Sequence, residues 1–349
     1  MTKQQMGRGV AENIVRRALL GMKQDPKRTI RNLVDLGLET SGGTMHKRFL
    51  WGAQQILKRE DSPYYELVLN TIRQVDEERL LTFGLNLGWE GLTAGAARIR
   101  ELEQERGHNI PWSLTFHMAE GAGHLTSGDY LRLVLEGMEL GIYSYFLMPA
   151  DDVSVETALN VTAASRNCAF ILFLPAGYDV KRNLTALSMH PNVMLCLDCS
   201  EPEWEIQAGL LQEKRLLYGL HRRYTTEGEI QDIVSGQWME RVLPHAGLAT
   251  FCIPQGDAFN HGAQHPVYRY AMDSRLEQRY PAIVFDFYTD NLYMDVLISG
   301  DSCFMGVLPD GTITEFRSGQ EQPAAGSARS TPLDTLLRHF SKTASVSSF

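Results

Sequence analysis

From residue 110 onward, short apolar runs alternate with stretches of helical periodicity, and this alternation restricts the fold more than any other feature of the sequence. Strands joined by crossover helices are typical of a parallel sheet. We predict strands over residues 112–117, 142–148, 169–174, 193–198, 215–220, 248–253 and 282–286. We predict helices between them over residues 128–140, 153–165, 203–213 and 229–245. The pattern favours an α/β fold with a partial or full (β/α) TIM-type barrel. A doubly wound sheet is the alternative, although no Gly-x-Gly-x-x-Gly motif follows the first strand.

The sequence before residue 108 has a different pattern. Apolar residues recur there at helical spacing, and a Gly-rich stretch at 83–95 is interpreted as irregular. We therefore predict three regions, a helical N-terminal region (1–107), a barrel (108–288) and a C-terminal extension with a flexible tail (289–349).

The C-terminal extension begins with alternating apolar residues over 290–316. A Pro-Asp-Gly turn at 309–311 predicts a β-hairpin within this stretch. Residues 318–332 are poor in apolar side chains and are interpreted as a mobile linker. A final helix is predicted from Leu333 to Phe340.

Composition narrows the classes of partner. The formal net charge of −9 argues against nucleic acid or an anionic membrane as the main partner, because both require clustered Lys and Arg. No apolar run approaches the roughly 20 residues that cross a bilayer, and the N-terminal stretch lacks the pattern of a signal peptide. The 5 cysteines are irregularly spaced, which favours reduced thiols over a disulfide framework. We expect a cytoplasmic protein without a membrane span.

Several short sequences occur in an order that can be compared with known families. They are IPW (110–112), GMELGIYSYF (137–146), NCAFILF (167–173), the stretch 285–316 with its Pro-Asp-Gly turn, and Pro332-Leu333. This order resembles that of radical S-adenosylmethionine (SAM) enzymes that carry a C-terminal SPASM-type extension. The resemblance spans roughly residues 1–340. It implies a radical SAM-like (β/α) barrel followed by a SPASM-like hairpin and helix.

The cofactor motifs of that family are absent from the corresponding positions. The family binds a [4Fe–4S] cluster through Cys-x3-Cys-x2-Cys after the first strand, whereas the loop here reads HMAEGAGHLTSG (117–128) and has no thiol. The family's Gly-Gly-Glu-Pro motif corresponds to MPADD (148–152) here. The cysteines of the extension correspond to positions near Leu297 and Phe316. The resemblance therefore implies a degenerate member with neither an iron–sulfur cluster nor a SAM site, and we expect no cofactor and no metal.

Polar residues follow or end many of the predicted strands, where a barrel would bring them to one mouth. As catalytic residues the sequence suggests His117, Asp198 and His221. As substrate-binding residues it suggests Glu120, His124, Asp151, Gln255 and Asp257. Two His with two carboxylates could bind a divalent metal or act as acid and base. A solvated mouth without a catalytic role explains the same residues, since strand ends are polar in any barrel.

Two local pairs of ligand-type residues are weaker candidates. Cys196 and Cys199 match Cys-x-x-Cys, but at a strand end their side chains point to opposite faces. His261 and His265 have the spacing of a shared metal site on a helix, but Gly262 and Pro266 argue against a regular helix there. We interpret the first pair as buried thiols and the second as a loop.

Two functions remain open at this point. The first is a non-catalytic radical SAM relative that serves as a partner, scaffold or substrate-presenting subunit for an active radical SAM enzyme, or that forms a homodimer. The alternative is a repurposed barrel enzyme, a metal- or His/Asp-assisted hydrolase or lyase, acting on a small metabolite at the barrel mouth. The missing cofactor motifs favour the first.

Overall fold

The structure is a computed structural model that describes residues 3–40, 44–256, 265–301, 303–317 and 320–338. The N-terminal region consists of helices, namely α1 (Lys3–Met22), α2 (Pro26–Thr40), α3 (Thr44–Leu57), α4 (Pro63–Gln74), α5 (Glu77–Leu85), a π-helix (Asn86–Gly95) and α6 (Ala96–Arg106). Side chains from α1 to α4 form a small apolar cluster of their own, with Ala18, Met22, Ile30, Leu57 and Tyr65.

Strands and helices then alternate along the chain. Their bounds are β1 (Ser113–Met118), α7 (Ser127–Leu140), β2 (Ser144–Pro149), α8 (Asp152–Ala164), β3 (Ala169–Phe173), α9 (Val180–Leu187), β4 (Val193–Asp198), α10 (Trp204–Glu213), β5 (Tyr218–Tyr224), α11 (Glu227–Val234), α12 (Gln237–Val242), a 3₁₀ turn (Leu243–His245), β6 (Ala249–Pro254), α13 (Pro266–Leu276) and β7 (Ile283–Asp286). The chain closes with α14 (Phe287–Ser299), β8 (Phe304–Val307), β9 (Thr312–Arg317), β10 (Gln320–Ser327) and α15 (Leu333–Leu337).

The described strands form one 10-stranded sheet in the order β10-β9-β8-β1-β2-β3-β4-β5-β6-β7. Strands β1 to β7 are parallel and lie in chain order, β8 is parallel to β1, and β9 and β10 are antiparallel to their neighbours. The predicted α/β class with a parallel sheet is therefore confirmed. The described strands do not form a closed barrel, because the sheet ends at β7 and at β10.

The C-terminal strands join the same sheet as the barrel-like strands. Since β8 pairs with β1, the strands β8, β9 and β10 are continuous with the central sheet, and the three predicted regions stay a prediction. The hairpin around Pro309-Asp310-Gly311 forms between β8 and β9, as predicted. In the described part of the chain, no helix is long and apolar enough to cross a membrane.

Several predicted elements differ from the structure. The first part of 290–316 is helical, because the Asp286 carboxylate accepts the N–H of Thr289 and starts α14, and Gly300 ends it in the left-handed region (φ 83°). The linker predicted over 318–332 is wrong over 320–327, where β10 pairs with β9, and residues 318 and 319 lie outside the described residues. The final helix reaches Leu337, and residues from 339 onward lie outside the described residues.

The helix predicted over 229–245 is interrupted at Gly236, which is left-handed (φ 85°) and separates α11 from α12. The stretch 83–95 is a π-helix from Asn86 onward and is not irregular. A β-carbon on Gly95 would lie 2.3 Å from the carbonyl oxygen of Gly141. Glycine at this position therefore allows the π-helix to approach the turn before β2.

Alternating aromatic residues line the two faces of the sheet. On one face, the Tyr145 ring lies 5.6 Å from that of Phe116 and 5.4 Å from that of Phe170, and Tyr130 of α7 covers Phe116. Because side chains alternate along a strand, Phe146 points to the opposite face. We call that opposite face the inner face.

The inner face is covered by Phe287, the first residue of α14. Its ring makes edge-to-face contacts with Phe146 (5.0 Å), Phe173 (5.4 Å) and Phe304 (5.8 Å), which come from β2, β3 and β8. Tyr288 adds a further edge-to-face contact at 4.9 Å. This single side chain thus packs against both central strands and the C-terminal hairpin.

We expect Phe287→Ala to lower the free energy of unfolding by about 3–5 kcal/mol, because it removes a buried ring and leaves a cavity. The measurement is urea denaturation followed by circular dichroism. Tyr293→Ala is the matched control, since Tyr293 lies on the same helix and is 52% exposed, and it should change stability by less than about 0.5 kcal/mol. Equal losses in the two variants would contradict this view of the core.

A buried carboxyl group on α14 connects this helix to the start of β1. Asp295 is fully buried and accepts the backbone N–H of Trp112 (3.0 Å) and that of Cys303 (3.3 Å). The pKa of Asp295 is raised to about 8, chiefly by burial and to a smaller extent by the neighbouring carboxylates of Glu103 and Asp301, although the two N–H groups favour ionisation. Asp295 is therefore protonated in the folded protein at neutral pH.

This raised pKa predicts the pH dependence of stability. The unfolded chain loses the Asp295 proton near pH 4 and the folded chain near pH 8, so the folded state holds one more proton between these values. The contribution of Asp295 to the free energy of unfolding is therefore complete below about pH 4. It declines as the pH rises to about 8, by up to about 1.4 kcal/mol per pH unit. Urea denaturation from pH 5 to pH 8 should show a smaller decline for Asp295→Asn than for the wild type. Parallel curves for the two proteins would refute the assignment.

Candidate functional site

A cleft of about 590 Å³ lies at the carboxyl ends of the parallel strands. It is lined by His117, Met118, Ala119, Met148, Pro149, Ala150, Pro175, Ala176, Arg223, Ile253, Gln255, Gly256, Tyr288 and Pro309. Ligands of α/β proteins bind at this edge of the sheet, and the volume is typical of sites for small molecules.

The register of the strands determines which side chains reach the cleft. His117 of β1 lies beside Met148 of β2, and Arg223 of β5 lies beside Ile253 of β6. All four side chains belong to the inner face, near the carboxyl end of their strands. Tyr288 reaches the same space from α14, directly after the aromatic residue that covers the inner face.

Beside the cleft wall, Asp198 and His221 are register partners on β4 and β5. One oxygen of Asp198 accepts the N–H (2.9 Å) and the hydroxyl (2.5 Å) of Ser200. The other oxygen lies 4.0 Å from a guanidinium nitrogen of Arg223. Asp198 is thus held in place by the turn that follows its own strand.

His221 lies within β5 and is fully buried. Its Nε2 is 3.2 Å from the carbonyl oxygen of Leu174, and its ring packs edge-to-face on Phe173 at 5.3 Å. Burial lowers the pKa of His221 to about 4, and the Asp198 carboxylate offsets only part of this effect. The imidazole is therefore neutral at physiological pH, and His221 is not among the residues that line the cleft.

The predicted catalytic residues are only partly brought together. Asp198 and His221 are neighbours, whereas His117 lies on β1, at three strand spacings from β4, or about 14 Å along the sheet. His221 was expected at a strand end, but β5 runs to Tyr224 and buries it in mid-strand. The catalytic role of these three residues stays a prediction.

The predicted substrate-binding residues divide in the same way. Gln255 lines the cleft. Glu120 accepts a hydrogen bond from Thr157 (2.7 Å), and Nδ1 of His124 lies 2.9 Å from the carbonyl oxygen of Ala119. Asp151 caps α8, and Asp257 lies outside the described residues. A binding role for these residues stays a prediction.

Sequence reasoning missed Arg223 and Tyr288 as residues of the cleft. Arg223 follows Arg222, and a charged pair inside a strand conceals the strand. The neighbouring Arg222 projects from the other face of the sheet and pairs with the carboxylate of Asp232. This ion pair compensates the charge of Arg222 and allows the residue to lie within β5. A local signal that could have extended the strand is Tyr224, an aromatic residue two positions after Arg222 and therefore on the same face of a strand.

The thiols are separated along the fold. Cys196 and Cys252 lie in the middle of β4 and β6, Cys168 precedes β3, Cys199 follows β4, and Cys303 precedes β8. Burial raises the pKa of Cys168, Cys196, Cys199 and Cys252, which keeps these thiols protonated. Metals and iron–sulfur clusters bind thiolates.

No group of three or more His, Cys, Asp or Glu side chains in the described ranges could hold a metal ion. His265 accepts the N–H of Val267 at the start of α13, and His261 lies outside the described residues. The loop between β1 and α7 contains no cysteine, so it offers no thiolate to an iron–sulfur cluster.

We expect the ring of His221 to stay neutral from pH 8 to about pH 5, because its pKa in the folded protein is about 4. The measurement is the NMR shift of its Cε1 proton, assigned by comparison with His221→Gln. Between about pH 6.5 and pH 4 only the unfolded chain gains this proton, so the wild type should lose stability on acidification over that range. A titration midpoint near that of a histidine in a short peptide would show that His221 is solvated.

No protein-family model matches the sequence, and no curated protein matches it. Among solved structures, the chain is similar to Streptococcus suis SuiB bound to the precursor peptide SuiA, with a TM-score of 0.49, 11% identity, and coverage of 69% of this chain and 68% of that chain. It is also similar to S. suis SuiB alone (TM-score 0.47, 10% identity, 69% of each chain) and to SuiB bound to S-adenosylmethionine (TM-score 0.47, 12% identity, 70% of each chain). Likeness at these values transfers neither a site nor an activity to this chain.

Proposed function

We propose that the chain is a radical SAM-like protein that does not perform radical chemistry and that serves, in the cytoplasm, as a scaffold or substrate-presenting subunit for an active radical SAM enzyme. The observation that carries the proposal is the loop between β1 and α7. This loop is where the family resemblance requires three cysteines, and it has none.

The polar side chains of this loop are held by contacts with the protein itself. The imidazole of His124 contacts the carbonyl oxygen of Ala119, and the Glu120 carboxylate accepts a hydrogen bond from the hydroxyl of Thr157. An iron–sulfur cluster needs thiolate ligands, with histidine as an occasional substitute. The contacts of this loop therefore support a structural role for residues that replace the family's ligands.

The segment after β2 points to the same conclusion about SAM. In the family, the motif at this position binds the amino group of SAM. Here the segment contains two acidic residues, Asp151 and Asp152. The Asp151 carboxylate instead accepts the N–H of Ser154 (2.8 Å) and its hydroxyl (2.8 Å), which caps α8. The N–H of Ala150 is bonded to the carbonyl oxygen of Met118. These contacts support the loss of SAM binding.

The cleft supports a retained capacity to bind a molecule. Its volume of about 590 Å³ and its mixed wall of apolar and polar side chains are typical of a ligand site. A chain with such a cleft and without the cofactor ligands can bind a substrate that another subunit modifies. We therefore favour substrate presentation over a purely structural role.

Anaerobic reconstitution with iron and sulfide tests the proposal. We expect fewer than about 0.1 iron–sulfur clusters per chain, because the loop after β1 has no cysteine and burial keeps the thiols of Cys168, Cys196, Cys199 and Cys252 protonated. Iron is measured by mass spectrometry, cluster formation by thiolate-to-iron absorption, and SAM binding by calorimetry. An intact radical SAM enzyme treated in parallel is the positive control. One cluster per chain, or SAM binding, would overturn the proposal.

The partner role has its own measurement. Sedimentation velocity of the chain mixed with an intact radical SAM enzyme from the same genome should show a complex heavier than either protein. Product formation by that enzyme should rise at least about tenfold when this chain is present, as expected when a bound substrate is positioned. The partner role would be refuted if the two proteins sedimented as separate boundaries and the rate of product formation did not change.

A further inference from the structure

We infer that the cleft binds an anion, a carboxylate or a phosphate carried on an apolar body, and that Arg223 is the residue that binds its charge. The inference rests on the proposed function, since it names the class of molecule that the cleft would present. It depends on the charges, hydrogen bonds and apolar groups of the cleft wall.

The fixed charge among the described residues that line the cleft is positive. Among the described residues that line the cleft, Arg223 carries a fixed charge and none is a carboxylate. Asp198, the carboxylate that lies 4.0 Å from Arg223, is 8% exposed and is not part of the lining. A cation would therefore meet Arg223 without a compensating carboxylate at the surface of the cleft, whereas an anion would pair with it.

The Arg223 guanidinium is positioned but has unused donors. Its side chain is 28% exposed, and its contact with Asp198 is 4.0 Å, longer than a hydrogen bond. The guanidinium makes no hydrogen bond with any other described residue. Arginine presents several N–H groups in one plane, a geometry that matches the oxygens of a carboxylate or a phosphate.

Four positions of the cleft wall have no backbone N–H group available for an anion. Pro149, Pro175 and Pro309 line the cleft and have no N–H group. The N–H of Ala150 is bonded to Met118. These four positions offer an anion no free N–H group, which leaves a larger share of its binding to side chains such as Arg223.

The rest of the wall fits an apolar body. Met118, Met148 and Ile253 line the cleft together with the ring of Tyr288. Thioether side chains adapt their shape to a ligand, and an aromatic ring offers a large apolar surface. The anion and the apolar body would thus contact different parts of one cleft.

Two fluorescent probes of the same shape test the inference on the full chain. One is 8-anilinonaphthalene-1-sulfonate, which has a negatively charged sulfonate group. The other is N-phenyl-1-naphthylamine, which has the same aromatic body without the sulfonate and is neutral. We expect Arg223→Met to weaken binding of the sulfonate at least about tenfold, the effect of losing a hydrogen-bonded charge pair, and to change binding of the neutral probe less than about twofold.

The controls separate charge from folding. Arg98→Met is the matched variant, because Arg98 lies on α6 and pairs with Glu101 on the surface, and it should leave both affinities unchanged. Arg223→Lys keeps the charge but loses the planar donors, so its affinity for the sulfonate should fall between those of the wild type and Arg223→Met. Thermal unfolding of each variant verifies that it is folded.

Competition then distinguishes the two sources of the anion. Octanoate and octyl phosphate share an apolar body with octanol, and the more effective competitor of the sulfonate identifies the preferred group. Displacement by either anion at a concentration at least about tenfold below that of octanol supports the inference. Equal displacement by octanol would contradict it.

The outcomes also separate this inference from the proposed function. Binding of neither probe to the wild type would mean that the cleft is not a ligand site, which would remove both the inference and the substrate-presenting role. Binding of both probes with no dependence of the sulfonate on Arg223 would overturn the inference alone. Cluster formation on reconstitution would overturn the proposed function and leave the Arg223 result standing.

Discussion

The edge-to-face packing of Phe287 on the inner face of the sheet is the interaction on which the rest of the structure depends. Its ring contacts Phe146 and Phe173 in the middle of the sheet and Phe304 in the C-terminal hairpin. An open parallel sheet exposes apolar surface on both faces unless other elements cover it. Here α14 covers the inner face, and its second residue, Tyr288, becomes part of the cleft wall.

Buried ionisable groups around this core are neutral or held by hydrogen bonds. Asp295 is protonated because it is buried between α14 and the start of β1, and His221 is unprotonated because it is buried within β5. Uncompensated charges are costly in such places. Arg223 differs, because it lies at the boundary of the core and solvent and retains its charge toward the cleft. The cleft therefore combines an apolar interior with one fixed charge among its described lining residues.

The sequence predicted the repeated βα units well because apolar runs flanked by polar turns are a local signal. It misplaced β5, because Arg222 and Arg223 interrupt the apolar pattern, and their place in a strand depends on Asp232 and on the cleft. The prediction of strand-like alternation over 290–316 was wrong for its first part, because α14 is apolar on several sides and packs against strands from different parts of the chain. The sequence also did not indicate β10, a segment of low apolar content whose position in the sheet depends on its pairing with β9.

The sequence by itself determined the class of the fold and the absence of cysteine from the loop after β1, since both follow from residue types at known positions. Tertiary structure alone decided which polar residues meet. The parallel register placed His221 beside Asp198 inside the sheet and placed Arg223 at the carboxyl end of the strands. His221 and Arg223 nevertheless lie on the same strand with only Arg222 between them. Side chains two apart share a face of a strand, but only the packing of neighbouring elements determines how far along that face solvent extends.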